Sequence, residues 1–403
     1  MISTADALQT VLDNSGQPSM IQIPLKDAVG HVLADDVYSD IDMPPFNRSA
    51  MDGFAISGEG LRYELLEEIA AGNSDTIILK PGFAAPIMTG APVPEGADRI
   101  VIVENSRIEE SILYLDEVPD KGANICWRGE DIKEGRTVLE HGTRLACQHL
   151  GIAAAAGRGF LNVFNRPRIA LVTTGTEVIP PTWIPSPGTV RNSNMPLMKA
   201  QLSMCGFPVD LSVHSADDPE SLKATFEQLL KCADVLIIAG GVSKGTRDFV
   251  PSVLESLKVE LHIRSVAQKP GKPLLFGTDP DGRPVFGLPG NPVSVMVSIE
   301  EYVLPLLRKR AGFKGYHKRI YHGEITSGYR KKPGRLHFLR VIAYREGNSW
   351  KLHHPESSGS GDLMSTVNVN ALALAGEDVV SYETGDILPF HFFYSTAGEL
   401  SFA

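Results

Sequence analysis

The sequence predicts a multidomain α/β protein: a central doubly wound α/β sheet, with β-rich segments before and after it. Three observations predict this. Residues 167–311 alternate apolar strand-like runs with segments of helical periodicity, the rhythm of an open sheet covered by helices on both faces. Residues from about Ile21 to Gly135, and again 312–403, carry short alternating runs broken by Pro and Gly, as antiparallel strands do. The 403 residues also exceed one ordinary core, so two to four domains are expected.

Each element has its own signal. Ser3 and Asp6 box the start of a short helix through Leu8, Val11 and Leu12. Strands are predicted at Thr76–Leu79, Arg99–Val103 and Ile112–Leu115. Leu150–Val163 is Ala/Gly-rich helical or mixed structure, suited to pack back on the N-terminal helix. The α/β part reads as strands at Arg168–Thr173, Val209–Val213, Asp234–Ala239, Val259–Val266, Leu274–Gly277 and Pro284–Leu288. Its helices are predicted at Asn194–Cys205, Pro219–Cys232, Phe249–Leu257 and from Pro292 to about Lys309; Leu222, Phe226, Leu229 and Leu230 mark the second by their spacing. Strands near Arg335–Tyr344, Trp350–His353, Ala371–Ala373 and Glu377–Val380 predict a small C-terminal barrel or sandwich.

Composition removes several function classes. Hydrophobic residues make up 43% and charged residues 21%, a globular balance. A formal net charge of −10 argues against nucleic acid or an anionic membrane as the main partner, although local basic clusters can still hold a small anion. No run approaches a membrane span, and MISTADALQTVL lacks the basic start of a signal peptide. Cys126, Cys147, Cys205 and Cys232 are scattered without CxxC or zinc spacing, as reduced thiols of a cytoplasmic protein are. His353-His354 shows no zinc spacing, and GxSxG and Walker A strings are absent, which disfavours an α/β-hydrolase and a P-loop NTPase.

Several strings can carry chemistry. Ala239–Asp248 (AGGVSKGTRD) lies between an apolar strand and a helix. Its Gly240, Gly241 and Gly245 let backbone N–H groups turn to an anion, and Ser243 and Lys244 add donors. Asp248, expected in the first helical turn, could hold a metal. An ordinary tight turn whose Asp suits the helix dipole accounts for the same string. Gln268–Pro273 (QKPGKP) presents Lys269 and Lys272 on a loop stiffened by two prolines. Two ammonium groups held together suit a doubly charged oxyanion; two lysines alone equally suit a solvated basic turn. In Gly287–Ser294 (GLPGNPVS), Asn291 as N-cap and Pro292 at the first helical position already make a complete helix start. All three loops follow strands of one α/β unit, and such loops converge on one edge of the sheet, where ligands bind. Glu177, after Thr174-Gly-Thr, falls at that edge, as a ligand or a simple cap. Asp52 in Asn47–Gly53, Thr89 in Ile87–Gly96 and Asp131 in Arg128–Asp131 read individually as turns or solvated charge.

Together these pieces resemble the molybdopterin molybdenumtransferase family, which includes the C-terminal domain of gephyrin. The strings are SAMDG (49–53), IMTGAPVPEGAD (87–98), RGEDI (128–132), TTGTE (173–177), RNSN (191–194), AGGVSKGTRDF (239–249), KPGKP (269–273), GLPGNPVS (287–294) and PGRLHFLR (333–340). They stand in family order across nearly the whole chain. The resemblance implies an N-terminal elongated helical segment (1–40 plus 136–166), an inserted β-rich domain (41–135), an α/β molybdopterin-binding domain (167–311) and a C-terminal β-barrel (312–403). It implies a cytoplasmic homodimer in which the inserted domain of one subunit faces the α/β domain of the other. The implied reaction inserts molybdate into adenylylated molybdopterin, with Mg2+ and release of AMP. An adenylyltransferase supplies the substrate, and molybdoenzymes receive the product. Lys269, Lys272, Arg340 and Ser360 become candidates for molybdate. Glu177 and Asp248, with Asp217 behind them, are candidates for the cation. The loop from Gly240 to Gly245 and the turn of Pro289, Asn291 and Pro292 are candidates for phosphate and pterin. Asp52, Thr89 and Asp131 are assigned to the partner-side wall.

Two departures stand out. Cys126 occupies the place of a family arginine, with Arg128 nearby, and Thr176 replaces a common aspartate beside Glu177. Three other readings share some features: a molybdopterin adenylyltransferase, a pyrophosphatase of the competence-damage-inducible type, and a gephyrin-like scaffold. The first characteristically carries Gly-Gly-Thr-Gly where Val242-Ser243 stands here, and the flanking β segments are superfluous to the first two. Turnover of the adenylate separates the enzyme from the scaffold.

Overall fold

The computed structural model describes residues 1–66, 78–242 and 248–393. The chain forms two compact units. One comprises Met1–Gln22, Gly30–Ala34 and the chain from Asn162 onward; the other comprises Ile23–Val29 and Asp35–Leu161.

The first unit holds a six-stranded sheet. Its order is Leu211–Ser215, Ile169–Thr174, Val235–Ala239, Pro284–Leu288, Leu275–Thr278, Glu260–Ile263. The first four strands run parallel; Leu275–Thr278 is antiparallel to both its neighbours. Every residue of Ile169–Thr174, Val235–Ala239 and Pro284–Leu288 is buried, so their sequences read as unbroken apolar runs. Alternate side chains serve opposite faces. Ile169, Leu171, Val235 and Ile237 join one core with Met198, Leu202 and Tyr302, while Ala170, Val172, Leu236 and Ile238 join the other with Leu222, Phe226 and Leu254. Helices therefore cover both faces, as the periodicity predicts.

The helix boundaries follow local chemistry. Ser3 Oγ accepts from the Asp6 amide at 3.1 Å and donates to the Asp6 carboxylate at 2.7 Å, starting helix Thr4–Asp13. Asp218 caps Pro219–Cys232, accepting from the Ser221 amide at 3.0 Å. Strand Leu211–Ser215 lies two residues beyond the predicted one. The long helix from Pro292 to Arg310 is interrupted by a π turn at Ile299–Val303, a feature the periodicity does not reveal.

The same unit contains a second sheet. Strands Leu336–Glu346, Ser349–His353, Tyr321–Ile325, Ile387–Phe392 and Ala371–Ala375 pair in that order, and the last pairs back with the first, closing a five-stranded barrel. The predicted strand at Glu377–Val380 is a turn instead. The barrel closes through Ile387–Phe392, whose inward Leu388, Phe390 and Phe392 supply the apolar alternation that 377–380 lacks. Gln268–Lys269 adds to the barrel's edge, parallel to Leu336–His337.

The second unit is built on a six-stranded mixed sheet in the order Arg99–Ile102, Gly53–Ile56, Phe83–Ile87, Arg62–Leu65, Ile112–Leu115, Ser106–Glu109. Of the predicted strand Thr76–Leu79, residues 76 and 77 lie outside the described residues; Ile78 forms only a bridge to Glu95. Helix Cys147–Ala155 packs on Leu25–Asp27 and strand Thr137–Leu139, and Phe160–Phe164 is a strand rather than a continuation of the helix. That helix and Thr4–Asp13 belong to different units.

Candidate active site

A cleft of about 1010 Å³ opens where the strands of the α/β sheet end. Thr174, Ala239 and Leu288 end three adjacent parallel strands, so the chain segments that follow them meet there. Close approach requires glycine. Gly240 has φ +107°, and a Cβ on it would lie 2.6 Å from the Thr174 carbonyl oxygen; a Cβ on Gly241, at φ +65°, would lie 2.9 Å from Val250. Gly240, Gly241, Pro289, Asn291 and Pro292 all line the cleft. Ser243 and Gly245, with Lys244, lie outside the described residues.

Asn291 differs from its sequence reading. It stands at the N-cap position in extended conformation and Pro292 follows as the first helical residue, yet its side chain makes no capping bond. The Asn291 amide instead donates to Ser360 Oγ at 2.8 Å, and the Val293 amide donates to the Ser360 carbonyl at 3.3 Å. Ser360 is thereby brought from the barrel into the cleft. Asn194 donates to the Gly290 carbonyl at 2.7 Å, tying the start of its helix to the same turn.

The acidic side is assembled from three segments. Glu177, Asp217 and Asp248 line the cleft. Asp217 accepts from the Thr174 hydroxyl at 3.1 Å. Asp248 precedes its helix, which starts at Val250, rather than occupying the first turn. No helix follows Glu177, which excludes a capping role; its carbonyl accepts from the Val190 amide at 2.9 Å across the short pairing of Val178–Ile179 with Val190–Arg191. Among the described residues, no group of three or more His, Cys, Asp or Glu side chains is close enough to hold a metal alone.

The basic side comes from the 268–273 loop and the barrel. Lys269 and Lys272 are exposed in the cleft, and Arg330 and Arg335 stand with them. None of the four forms an ion pair among the described residues. Arg340 is different. It is 8% exposed and its guanidinium donates to Ser357 Oγ, Ser365 Oγ, the Asp362 carbonyl at 3.1 Å and the Gly359 carbonyl at 3.4 Å. Its two terminal nitrogens are thus engaged by the 357–365 loop, while the residue also lines the cleft. Beside Lys269, His337 is 3% exposed, and Tyr329 O–H lies 2.8 Å from its Nδ1. Burial, then the charges of Lys269, Lys331 and Arg335, lower the imidazole to about 4, so it adds no positive charge at neutral pH.

In the second unit three of the sequence strings come together. Arg48–Ser49 pairs with Ile125–Cys126, the Gly90 amide donates to the Ser49 carbonyl at 2.8 Å, and the Ala50 amide to the Asn124 carbonyl at 2.9 Å. Asp52 Oδ1 accepts from both the backbone amide and the hydroxyl of Thr89, at 2.7 and 2.8 Å. Those bonds lower the Asp52 carboxyl below its usual range. Asp131 is exposed, its amide donating to Met43. Arg128 pairs with Asp42 at 2.8 Å, and Cys126 stands opposite Arg48.

Known proteins match both units. Residues 2–157 match the MoeA N-terminal region (domain I and II), 170–309 a probable molybdopterin binding domain, and 323–393 the MoeA C-terminal region (domain IV). The molybdopterin molybdenumtransferase of Synechococcus elongatus is 33% identical over 95% of this chain and 98% of its own length. The chain belongs to the molybdopterin molybdenumtransferase family. The Staphylococcus epidermidis member is 29% identical over 96% of this chain and 94% of its own. Two solved structures of the molybdopterin biosynthesis MoeA protein from Pyrococcus horikoshii are 28% and 26% identical, with TM-scores of 0.83 and 0.78, each covering 98% of this chain and 99% and 100% of theirs.

Within this family member, Arg330 and Arg335 were missed by sequence reasoning. Their signal was available: Arg335 is the third residue of the PGRLHFLR string and Arg330 lies three residues before that string, in a chain whose net charge is negative. Tyr329, Asn192 and Asn194 also line the cleft and carried no sequence signal of their own beyond the RNSN string.

Proposed function

We propose that this chain inserts molybdate into adenylylated molybdopterin and releases AMP, with the cleft at the strand ends as its active site. One observation carries the reading: four cations that form no ion pair among the described residues face the same cleft as three carboxylates and the glycine-shaped turn at Gly240–Gly241. Unpaired cations held together call for a polyanionic ligand. Lys269 and Lys272 bind the dianionic molybdate. Arg330 and Arg335 widen the positive field toward the adenylate's phosphates. Gly240, Gly241, Pro289 and Pro292 let the ligand approach the backbone, and Asn291 and Ser360 bridge the α/β and barrel walls.

The donor set suits Mg2+, which keeps several waters and takes one or two carboxylates together with substrate phosphates. Glu177 and Asp248 would hold it, with Asp217 oriented by Thr174 behind them. When bound, the ion neutralises charge that develops on the phosphoanhydride. The proposed domains are 1–40 plus 136–166, 41–135, 167–311 and 312–403. In a homodimer, Asp52, Thr89 and Asp131 of one subunit would complete the cleft of the other; the two bonds from Thr89 hold the Asp52 carboxylate ready for such a role. The reading extends to a cytoplasmic setting, a separate adenylyltransferase upstream and apo-molybdoenzymes downstream. No helix among the described residues is long and apolar enough to cross a membrane.

The test is AMP release from molybdopterin-adenylate with Mg2+, with and without molybdate. Release that requires molybdate supports the assignment. Tight binding of the adenylate without turnover overturns it in favour of a scaffold.

A further inference from the structure

The loop bearing Lys269 and Lys272 is braced from below by side chains outside the cation set. Its ends are joined by the Val266 amide donating to the Lys272 carbonyl at 3.0 Å. Within it, Gln268, fully buried, donates through Nε2 to the Pro270 carbonyl at 3.1 Å. The Gln268 Oε1 accepts from the Tyr302 hydroxyl. Tyr302 is 1% exposed and sits in the π turn Ile299–Val303 of the helix that starts at the Pro289–Pro292 turn.

The contact is specific to that helix face. Ser294, Ser298 and Tyr302 recur every four residues, one buried polar stripe along the helix. Gly271 packs on the stripe: a Cβ there would lie 2.7 Å from Gln268 Nε2, 3.2 Å from Ser298 Oγ and 3.6 Å from the Ser294 carbonyl. Gly271 has φ +88°, which further restricts the position to glycine. At the π turn the Met296 carbonyl accepts from Gln201 at 3.1 Å, and Gln201 also donates to Glu300 at 3.0 Å. The bulge is thus locked by its own partners. π turns are frequent at functional sites, and here the turn carries Tyr302, the donor to Gln268.

We propose that Tyr302 and Gln268 are positioning residues for the molybdate loop. Through the Tyr302–Gln268–Pro270 chain, the helix whose N-terminus forms one wall of the cleft sets the separation of Lys269 and Lys272. The proposal rests on the reading that those lysines bind molybdate. Tyr302 is buried beneath the loop and does not line the cleft; Gln268 borders the cleft but has no exposed surface, its amide being turned to Tyr302 and Pro270.

The experiment is AMP release from molybdopterin-adenylate with Mg2+ at varied molybdate, for wild type, Tyr302→Phe, Gly271→Ala and Lys269→Ala/Lys272→Ala. Tyr302→Phe should raise KM for molybdate about tenfold, the effect of one buried hydrogen bond. kcat at saturating molybdate and KM for the adenylate should stay within about twofold, since the reacting groups are untouched. Gly271→Ala presses on the same Gln268 amide from the loop side, its closest contact at 2.7 Å, and should shift the same constant in the same direction. A merely structural role would lower kcat through loss of folded enzyme and leave KM for molybdate unchanged. If the double-lysine variant loses molybdate dependence while Tyr302→Phe and Gly271→Ala keep the wild-type KM, the positioning role is overturned and the lysine reading survives. If the double-lysine variant behaves as wild type, both fall.

Discussion

Arg340 separates a ligand from a scaffold. Its guanidinium donates four hydrogen bonds to Ser357, Gly359, Asp362 and Ser365, and at 8% exposure those bonds are largely shielded from water. Replacing it by lysine keeps the charge but cannot reproduce a planar fork that reaches four acceptors. Losing two of those four charge-assisted hydrogen bonds costs about 3 kcal/mol. For a unit of this size that lowers its thermal transition by roughly 6–12 °C. Because Ser360 lies in the held loop and bonds Asn291 at 2.8 Å, both the adenylate and molybdate constants should worsen. Thermal unfolding of Arg340→Lys, followed by steady-state kinetics in both substrates, checks this. An Arg340→Lys protein with wild-type melting and adenylate KM but a molybdate KM raised more than tenfold would refute the scaffold role and restore Arg340 as a direct ligand.

Two further perturbations follow from the geometry. His337 is held to about 4 when folded, by burial and then by Lys269, Lys331 and Arg335, against about 6.5 unfolded. The folded state therefore binds fewer protons between those values; stability is complete above pH 6.5 and is lost as pH falls toward 4. Glu301 adds a lower limb: burial pushes it up, but Lys318 and His391 hold it at about 2, so its contribution is lost only below pH 4.5. His337→Gln should flatten the fall of melting temperature between pH 6.5 and 4, and an unchanged slope would contradict this. Gly240→Ala must place a Cβ 2.6 Å from the Thr174 carbonyl at φ +107°, a strain of about 1–3 kcal/mol. Its kcat/KM for the adenylate should drop at least about tenfold, and wild-type kinetics would remove Gly240 from the binding surface.

Much of the α/β layout was legible because local and tertiary signals agree there. Asp218, Pro219 and the stripe Leu222, Phe226, Leu229, Leu230 specify one helix, and the structure ends it at the predicted Cys232. Glu377–Val380 misled because a short apolar pair imitates a strand, whereas the barrel is closed by pairing partners distant in sequence. The loops that meet at the strand ends were readable from glycines, prolines and lysines, since those residue types constrain the backbone or carry charge locally. What joins the loops was not. Asn291 turning from its cap to Ser360, Arg340 committed to its own loop, and Tyr302 reaching Gln268 from a π turn are decided by packing between segments far apart in sequence. Thr89 bonding Asp52 across 37 residues belongs to the same class.

The proposed receipt of molybdate by the lysine loop, in a reaction that releases AMP, has one decisive test. The most direct measurement is the molar ratio of AMP released to molybdenum retained in the pterin product, for wild type and Lys269→Ala/Lys272→Ala. Two charge-assisted contacts of about 1.5–3 kcal/mol each predict a loss of roughly 10²–10⁴ in kcat/KM for molybdate in the double variant, with adenylate binding kept. Wild type should give one AMP per molybdenum. AMP released without molybdenum uptake, or a double variant with unchanged molybdate kinetics, would contradict the claim.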